Sequence, residues 1–281
     1  MTTKGRVLPE PVKTGVLRAR QFQRRLTAPL RSLPDFVIIG AQKAGTSSLH
    51  YYLAQHEQVG MSFDKEVHFF DLNHEKGVNW YRARFPLALA ARRIAVGEAS
   101  PYYMVHPHVP GRLHGLLPSA RLILLLRDPT QRAVSHYFHE HRKGREPLPI
   151  MQALEAEEER IAGEWERMVA DPSYTSRAHQ SFSYKQRGHY AEQIERYLEY
   201  FDRKQTLVLQ SERLFTDPAA TVGEVCRFLG VEPPAGSLDY SARNVGMTRQ
   251  RVNDEVRRYL DEYYAPRNRR LFELLDREFD W

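Results

Sequence analysis

A chain of 281 residues, 42% of them hydrophobic, carries enough apolar material for one sizeable α/β domain. Its net charge of +6 and pI near 9.4 suit anionic partners such as nucleotides, nucleic acid, acidic glycans or a membrane surface, and choose among none of them. The single cysteine, Cys226, excludes an internal disulfide and a thiolate zinc cluster, and no apolar run reaches the about 18 residues of a membrane span.

Residues 1–33 read as a basic N-terminal arm, with Lys4, Arg6, Lys13, Arg18, Arg20, Arg24 and Arg25 but without the apolar core of a signal peptide. A single domain is expected over residues 34–281. Phe36-Val37-Ile38-Ile39 is a continuous apolar run, the pattern of a strand buried on both faces. Gly40 ends it, and Leu49, Tyr52 and Leu53 then recur at helical spacing within 47–55. Strand, glycine-containing loop and helix open a βα unit. The alternation over 59–63 predicts a strand, 78–85 a helix, 93–97 a strand and 106–117 a short helix. Leu122-Ile123-Leu124-Leu125-Leu126 is a second buried-strand run, closed by Arg127-Asp128-Pro129 and followed by a helix to Arg142. Residues 149–170 are charged and helical, and 171–187, rich in Ser, Tyr and Arg, read as an ordered or gating loop. A helix over 188–201, a strand over 206–209 and a helix over 218–229 follow, the last holding Cys226 as a buried structural thiol. Residues 233–248 are loop-like, and 254–275 are helical. Strands alternating with helices predict a three-layer αβα fold with a central parallel sheet and a P-loop-like phosphate-binding loop.

The candidate loop is Gly40-Ala41-Gln42-Lys43-Ala44-Gly45-Thr46-Ser47-Ser48. Backbone N–H groups at such a strand-to-helix junction converge on an anion, and the helix N-terminus adds positive potential. The hydroxyls add donors, and Lys43 adds a full charge. A Walker A motif places lysine directly after the second glycine, where Thr46 stands here. Asp128 follows an apolar strand as a Walker B acid does, but between Arg127 and Pro129 it is expected to shape the turn. A Mg-nucleoside-triphosphate kinase is therefore the weaker reading. A basic polyanion-binding module without catalysis is the other alternative. The positive charge is spread along the chain, with no RNA-binding aromatic motif and no zinc-finger spacing, which argues against nucleic acid.

Read in order, these motifs resemble the 3′-phosphoadenylyl-sulfate (PAPS)-dependent sulfotransferases, closest to the carbohydrate and glycosaminoglycan branch and its bacterial relatives. Lys43-Ala44-Gly45-Thr46-Ser47-Ser48-Leu49 is similar to the family's 5′-phosphosulfate loop. Arg127-Asp128-Pro129, with Ser135 in Arg132-Ala133-Val134-Ser135-His136-Tyr137, is similar to its 3′-phosphate element. Lys65-Glu66-Val67-His68-Phe69-Phe70-Asp71 resembles the catalytic segment of the carbohydrate branch. Gly97-Glu98-Ala99-Ser100-Pro101-Tyr102 and Arg187-Gly188-His189-Tyr190 match as well. The glycosaminoglycan enzymes carry a Lys-Gly-Arg-Thr cofactor loop near the C-terminus. Gly246, Thr248 and Arg249 stand in that region here, without the lysine.

The resemblance implies sulfuryl transfer from PAPS to a hydroxyl or amine of a carbohydrate, lipid or natural-product acceptor, releasing 3′-phosphoadenosine 5′-phosphate (PAP). In-line transfer needs both partners positioned and the leaving oxygen's charge neutralised. Lys43 is implied at that oxygen, with Ala44, Gly45, Thr46, Ser47 and Ser48 around the phosphosulfate. Arg127 follows a strand's carboxyl end, where ligands of open α/β sheets bind, and a guanidinium matches phosphate bidentately. Glu66 is the first choice of general base, and His68, with an ordinary pKa nearer neutrality, is the alternative. Alternation along an extended segment would put the two on one side. Tyr190 is implied against the adenine, and Lys65, Glu98 and Tyr102 are expected at the acceptor. The 12 histidines show no HxxxH or HExxH pair, so no catalytic metal is expected. A lone cysteine fits a reducing compartment, and a cytoplasmic enzyme is expected.

Overall fold

The computed structural model describes residues 21–92, 94–243 and 252–281. Five strands form one parallel sheet: β1 (Phe36–Gly40), β2 (Val59–Met61), β3 (Ala95–Ala99), β4 (Arg121–Leu126) and β5 (Thr206–Gln210), in the order β2-β3-β1-β4-β5. The two continuous apolar runs are the two inner strands β1 and β4. All of β1 is buried, and so is β4 after Arg121, because helices cover both faces of a parallel sheet. Val37 pairs with Glu98 on one side and Leu122 on the other. At Gly97 a Cβ would lie 2.2 Å from the Phe36 ring, so only glycine lets β3 approach there.

The helices that bear on the site and its support are α1 (Thr46–Leu53), α2 (Val109–Leu116), α3 (Pro129–Arg142), α4 (Arg177–Phe182), α5 (Tyr190–Leu198), α6 (Pro218–Leu229) and α7 (Asp254–Leu275). Their ends follow local chemistry. Asp128 caps α3 by accepting the Thr130 N–H at 2.9 Å, the turn-shaping role expected of it. Pro218 begins α6 behind an Asp217 cap, and Gly230, in the left-handed region, ends it. One apolar cluster surrounds the sheet; a second joins Ala133 and Tyr137 of α3 to Leu260 and Tyr264 of α7.

Three expectations change. The third strand runs to Ala99, which carries Glu98 inside it. The charged stretch 149–170 is broken into three short helices, Ile150–Glu155, Glu157–Arg160 and Glu164–Ala170. Residues 171–187, expected as an ordered or gating loop, are ordered but not all loop: they contain α4, enter a 3-10 turn, Gln186–Gly188, and bury Ser176, His179, Ser183, Tyr184 and Arg187. Upstream of β1, residues 28–32 pack onto the domain, where buried Arg31 donates Nη1 to the Phe85 carbonyl at 2.7 Å.

The connection leaving β1 runs to β2 at one edge, and the connection leaving β4 runs to β5 at the other. Their divergence opens a crevice beyond the carboxyl ends of β1 and β4, the place where α/β sheets bind ligands.

Candidate active site

The loop after β1 turns through two left-handed residues, Lys43 (φ 72°) and Gly45 (φ 96°), before α1 begins. Glycine is required at 45 twice over: for that φ, and because a Cβ would meet Leu214 Cδ2 and Phe215 Cζ at 3.1 Å. The positive end of α1, which begins at Thr46, therefore stands at the end of this loop. Gln42 Oε1 accepts a bond from buried Arg187 Nη1, which ties the loop to the α4–α5 side. Ser48 is fully buried and occupied elsewhere: its hydroxyl accepts the Arg243 N–H at 2.9 Å. It therefore holds the backbone of Arg243 instead of presenting a donor to a ligand. Gly246, Thr248 and Arg249 lie outside the described residues.

Arg127 leaves β4 beside this loop. Its Nη1 donates to the Lys43 carbonyl at 3.2 Å, and its own carbonyl accepts the Tyr190 hydroxyl at 2.9 Å. Tyr190 is 1% exposed. Its ring is core, with no face for an adenine, and its hydroxyl positions Arg127. Ser135 lies half-buried on α3, two turns further on. Burial lowers the Lys43 pKa to about 8, and the neighbouring charges of Arg142, Arg127 and Lys143 add to the effect. Burial also lowers that of Arg127. Such a concentration of cations at a crevice, opposed by Glu140, is matched to an anion.

Across the β3 end, the Glu66 N–H bonds the Ala99 carbonyl at 3.0 Å. Glu66 and His68 are not in an extended segment. Both are left-handed, at φ 59° and 52°, and it is these turns, not alternation, that bring them together. His68 Nε2 lies 3.6 Å from Glu66 Oε2, and His68 Nδ1 lies 2.7 Å from Asp71 Oδ2. Lys65 Nζ reaches Glu66 Oε1 at 2.6 Å. The contact with His68 leads the causes that hold Glu66 at about 2. Burial by itself would lower His68, but hydrogen bonds to Asp71 and Glu66 outweigh it and raise the imidazole to about 10. At neutral pH the group is a carboxylate–imidazolium–carboxylate chain. The side chain of Glu66 is 44% exposed, open to an incoming group. Asp71 was visible only as the last residue of the motif; its spacing three after His68 is the signal for its role.

Glu98 and Tyr102 do not line an acceptor pocket. Glu98 has no exposed surface and accepts hydroxyls from Tyr81, Ser100 and Tyr103. Tyr102 is 6% exposed, with its hydroxyl 2.8 Å from His179 Nδ1. The glycine at 97 and the short side chain of Ala99 let the neighbouring strand and loops close over this part of β3.

A parallel α/β sheet with a cationic loop at a helix N-terminus beside a carboxylate–histidine relay is the architecture of an anion-binding α/β enzyme. The chain belongs to the sulfotransferase family: the Sulfotransferase domain profile matches residues 33–262. The crystal structure of a sulfotransferase from Alicyclobacillus acidocaldarius aligns with a TM-score of 0.69 and 32% identity, covering 88% of this chain and 98% of that one. Relatives include the human heparan sulfate glucosamine 3-O-sulfotransferase 3B1, 30% identical over 89% of this chain and 65% of its own length. The membrane-associated sulfotransferase kil1 of Dictyostelium discoideum is 27% identical over 90% of this chain and 67% of its own. The chain thus spans about two thirds of the length of these two relatives. Among the described residues, no helix is long and apolar enough to cross a membrane.

Proposed function

We infer that this protein transfers a sulfuryl group from PAPS to a hydroxyl or amine of a glycan acceptor, with Glu66 as the base. One observation carries the reading. The segment after β2, docked on the end of β3, and the loops after β1 and β4 bring to the carboxyl end of the sheet the Glu66–His68–Asp71 relay, the Lys43 loop and Arg127. The donor set fits a nucleotide with anionic groups on both its 5′ and 3′ sides. Lys43, Thr46 and the first turn of α1 would hold the 5′ phosphosulfate; Arg127 and Ser135 would hold the 3′ phosphate. The donor supplies the sulfuryl group and a phosphate leaving group.

The chain's own residues do the rest. Lys43 holds positive charge in the crevice, where charge develops on the leaving side. Glu66, ionised at neutral pH, accepts the acceptor's proton. An acceptor entering beside Glu66 loosens its contact with His68, which raises the carboxylate's affinity for a proton at the moment of need. His68 is already protonated, so the base is Glu66 and the imidazolium orients it. The glycan acceptor is supported by the heparan sulfate activity that the human relative is named for and by the branch to which the Lys65–Asp71 motif is similar.

Thermal stability measured with PAP, with ADP-Mg and with an oligonucleotide tests the donor. PAP is expected to raise the melting temperature most. Stabilisation by ADP-Mg without any from PAP would refute the reading. Labelled PAPS with a panel of desulfated glycans then tests the acceptor, and label found only on non-glycan acceptors would reject that part.

A further inference from the structure

Glu98 takes no part in the transfer just described, yet the structure isolates it with care. It has no exposed surface, and among the described residues no cation pairs with it. A dry carboxyl without a cation is unfavourable unless hydroxyls or amides satisfy it. Here three hydroxyls do. Tyr81 Oη donates to Oε1 at 2.6 Å, Tyr103 Oη donates to Oε1 at 3.1 Å, and Ser100 Oγ donates to Oε2 at 2.8 Å. Burial still pushes the carboxyl up to about 7.

Two of these hydroxyls reach onward to the catalytic loop. Tyr103 Oη accepts the N–H of Phe69 at 2.7 Å and that of Phe70 at 3.3 Å. Ser100 Oγ accepts the N–H of His68 at 3.2 Å. A hydroxyl has one proton. While that proton points at Glu98, the oxygen lone pairs point at the loop. Three consecutive backbone donors, 68 to 70, therefore hang from one carboxylate through two hydroxyls. The segment they restrain begins at left-handed His68, two residues after left-handed Glu66, conformations that side chains with a Cβ disfavour and that surrounding structure must impose.

We propose that Glu98 is a positioning residue for the transfer reaction. Through Tyr103 and Ser100 it fixes the backbone of residues 68–70 and so aims Glu66 and His68 at the acceptor. The proposal rests on Glu66 serving as the base. Tyr81 is the internal control. Its hydroxyl also reaches Glu98, but its own contact with the loop is a ring stack on Phe69, with centroids 4.4 Å apart and planes at 11°, which phenylalanine preserves.

Glu98→Gln, Tyr103→Phe and Tyr81→Phe are compared by two readouts: amide hydrogen exchange of residues 66–72, and kcat with KM for PAPS. In Glu98→Gln the amide oxygen can keep either the two tyrosine hydroxyls or that of Ser100, and the amide N–H₂ then donates where a hydroxyl proton pointed, which competes with the backbone N–H groups for that hydroxyl's lone pairs. In Glu98→Gln and Tyr103→Phe, exchange at 68–70 is expected to speed up about tenfold or more. In both, kcat falls about tenfold or more while KM for PAPS stays within about twofold. Tyr81→Phe is expected to lower the melting temperature while leaving exchange and kcat within about twofold of wild type. The double variant of Glu98 and Tyr103 should be no worse than the worse single, since both cut one chain of contacts. Unchanged exchange in Glu98→Gln and Tyr103→Phe overturns the proposal. So does faster exchange with undiminished kcat, or a Tyr81→Phe variant as impaired as the others. PAP-induced stabilisation certifies folding; should Glu98→Gln not fold, Ser100→Ala joins Tyr103→Phe in the same readouts. A wild-type protein without turnover would sink the transfer reading instead, and exchange alone then decides whether Glu98 holds the loop.

Discussion

Lys43 ties nucleotide affinity to pH in a way that can be calculated. In the free protein its pKa is about 8, because burial first, and then Arg142, Arg127 and Lys143, oppose its charge. A nucleotide bisphosphate in the crevice supplies the missing anion and returns the lysine toward its ordinary 10.5. Protonated Lys43 binds the anion well and neutral Lys43 binds it poorly, so affinity is full below pH 8 and is lost above it. Between about pH 7 and about pH 9.5 the free protein loses the proton while the complex keeps most of it, which weakens PAP binding about thirtyfold, or about 2 kcal/mol. Titration calorimetry at both pH values measures the change. Near pH 8, runs in buffers of different ionisation enthalpy should show about half a proton taken up per nucleotide. Lys43→Met should bind more weakly at neutral pH and lack the decline. Wild-type affinity constant within about threefold over this range, or a Lys43→Met variant with the same decline, would refute the reasoning.

Glu66→Gln should keep PAP affinity and lose about a hundredfold or more in turnover, measured with labelled PAPS; undiminished turnover rejects Glu66 as the base. Asp71→Asn removes the hydrogen bond that contributes most to raising His68, so the imidazole resonances should titrate well below the wild-type value of about 10. Because the folded pKa is raised, the stability that charged His68 lends is complete below about pH 6.5 and is lost as pH rises through about 10; an alkaline melting profile unaltered by Asp71→Asn counts against the relay. Gly45→Ala places a Cβ at a left-handed φ and 3.1 Å from Leu214 and Phe215, and should lower stability by about 1–3 kcal/mol in denaturant titration. A variant as stable as wild type would mean that the loop tolerates another turn.

Much of the architecture was legible because its causes are local. Continuous apolar runs at 36–39 and 122–126 have no polar face to show to water, so they must be inner strands of a covered sheet. The second of the glycines in the 40–48 loop marks a left-handed turn, and Asp128, Asp217 and Gly230 mark helix ends by short-range bonds or by φ alone. The boundaries of the 171–187 segment were not legible. Its Ser, Tyr and Arg residues look solvated in one dimension and are buried by contacts such as that between Arg187 and Gln42, 145 residues apart.

The loop from Gly40 to Ser48, Glu66 and His68 as candidate bases, and Arg127 after its strand were legible in the sequence itself, since each stands in a short motif with its own chemistry; the turns that join Glu66 and His68 to Asp71 were not. Which side chains face the crevice was decided only by the tertiary structure. Ser48 is taken by Arg243, Tyr190 by the Arg127 carbonyl, Tyr102 by His179, and Glu98 by Tyr81, Ser100 and Tyr103. Each of these polar atoms is buried by elements that meet only in the folded chain, and a buried polar atom must take the partner it finds there.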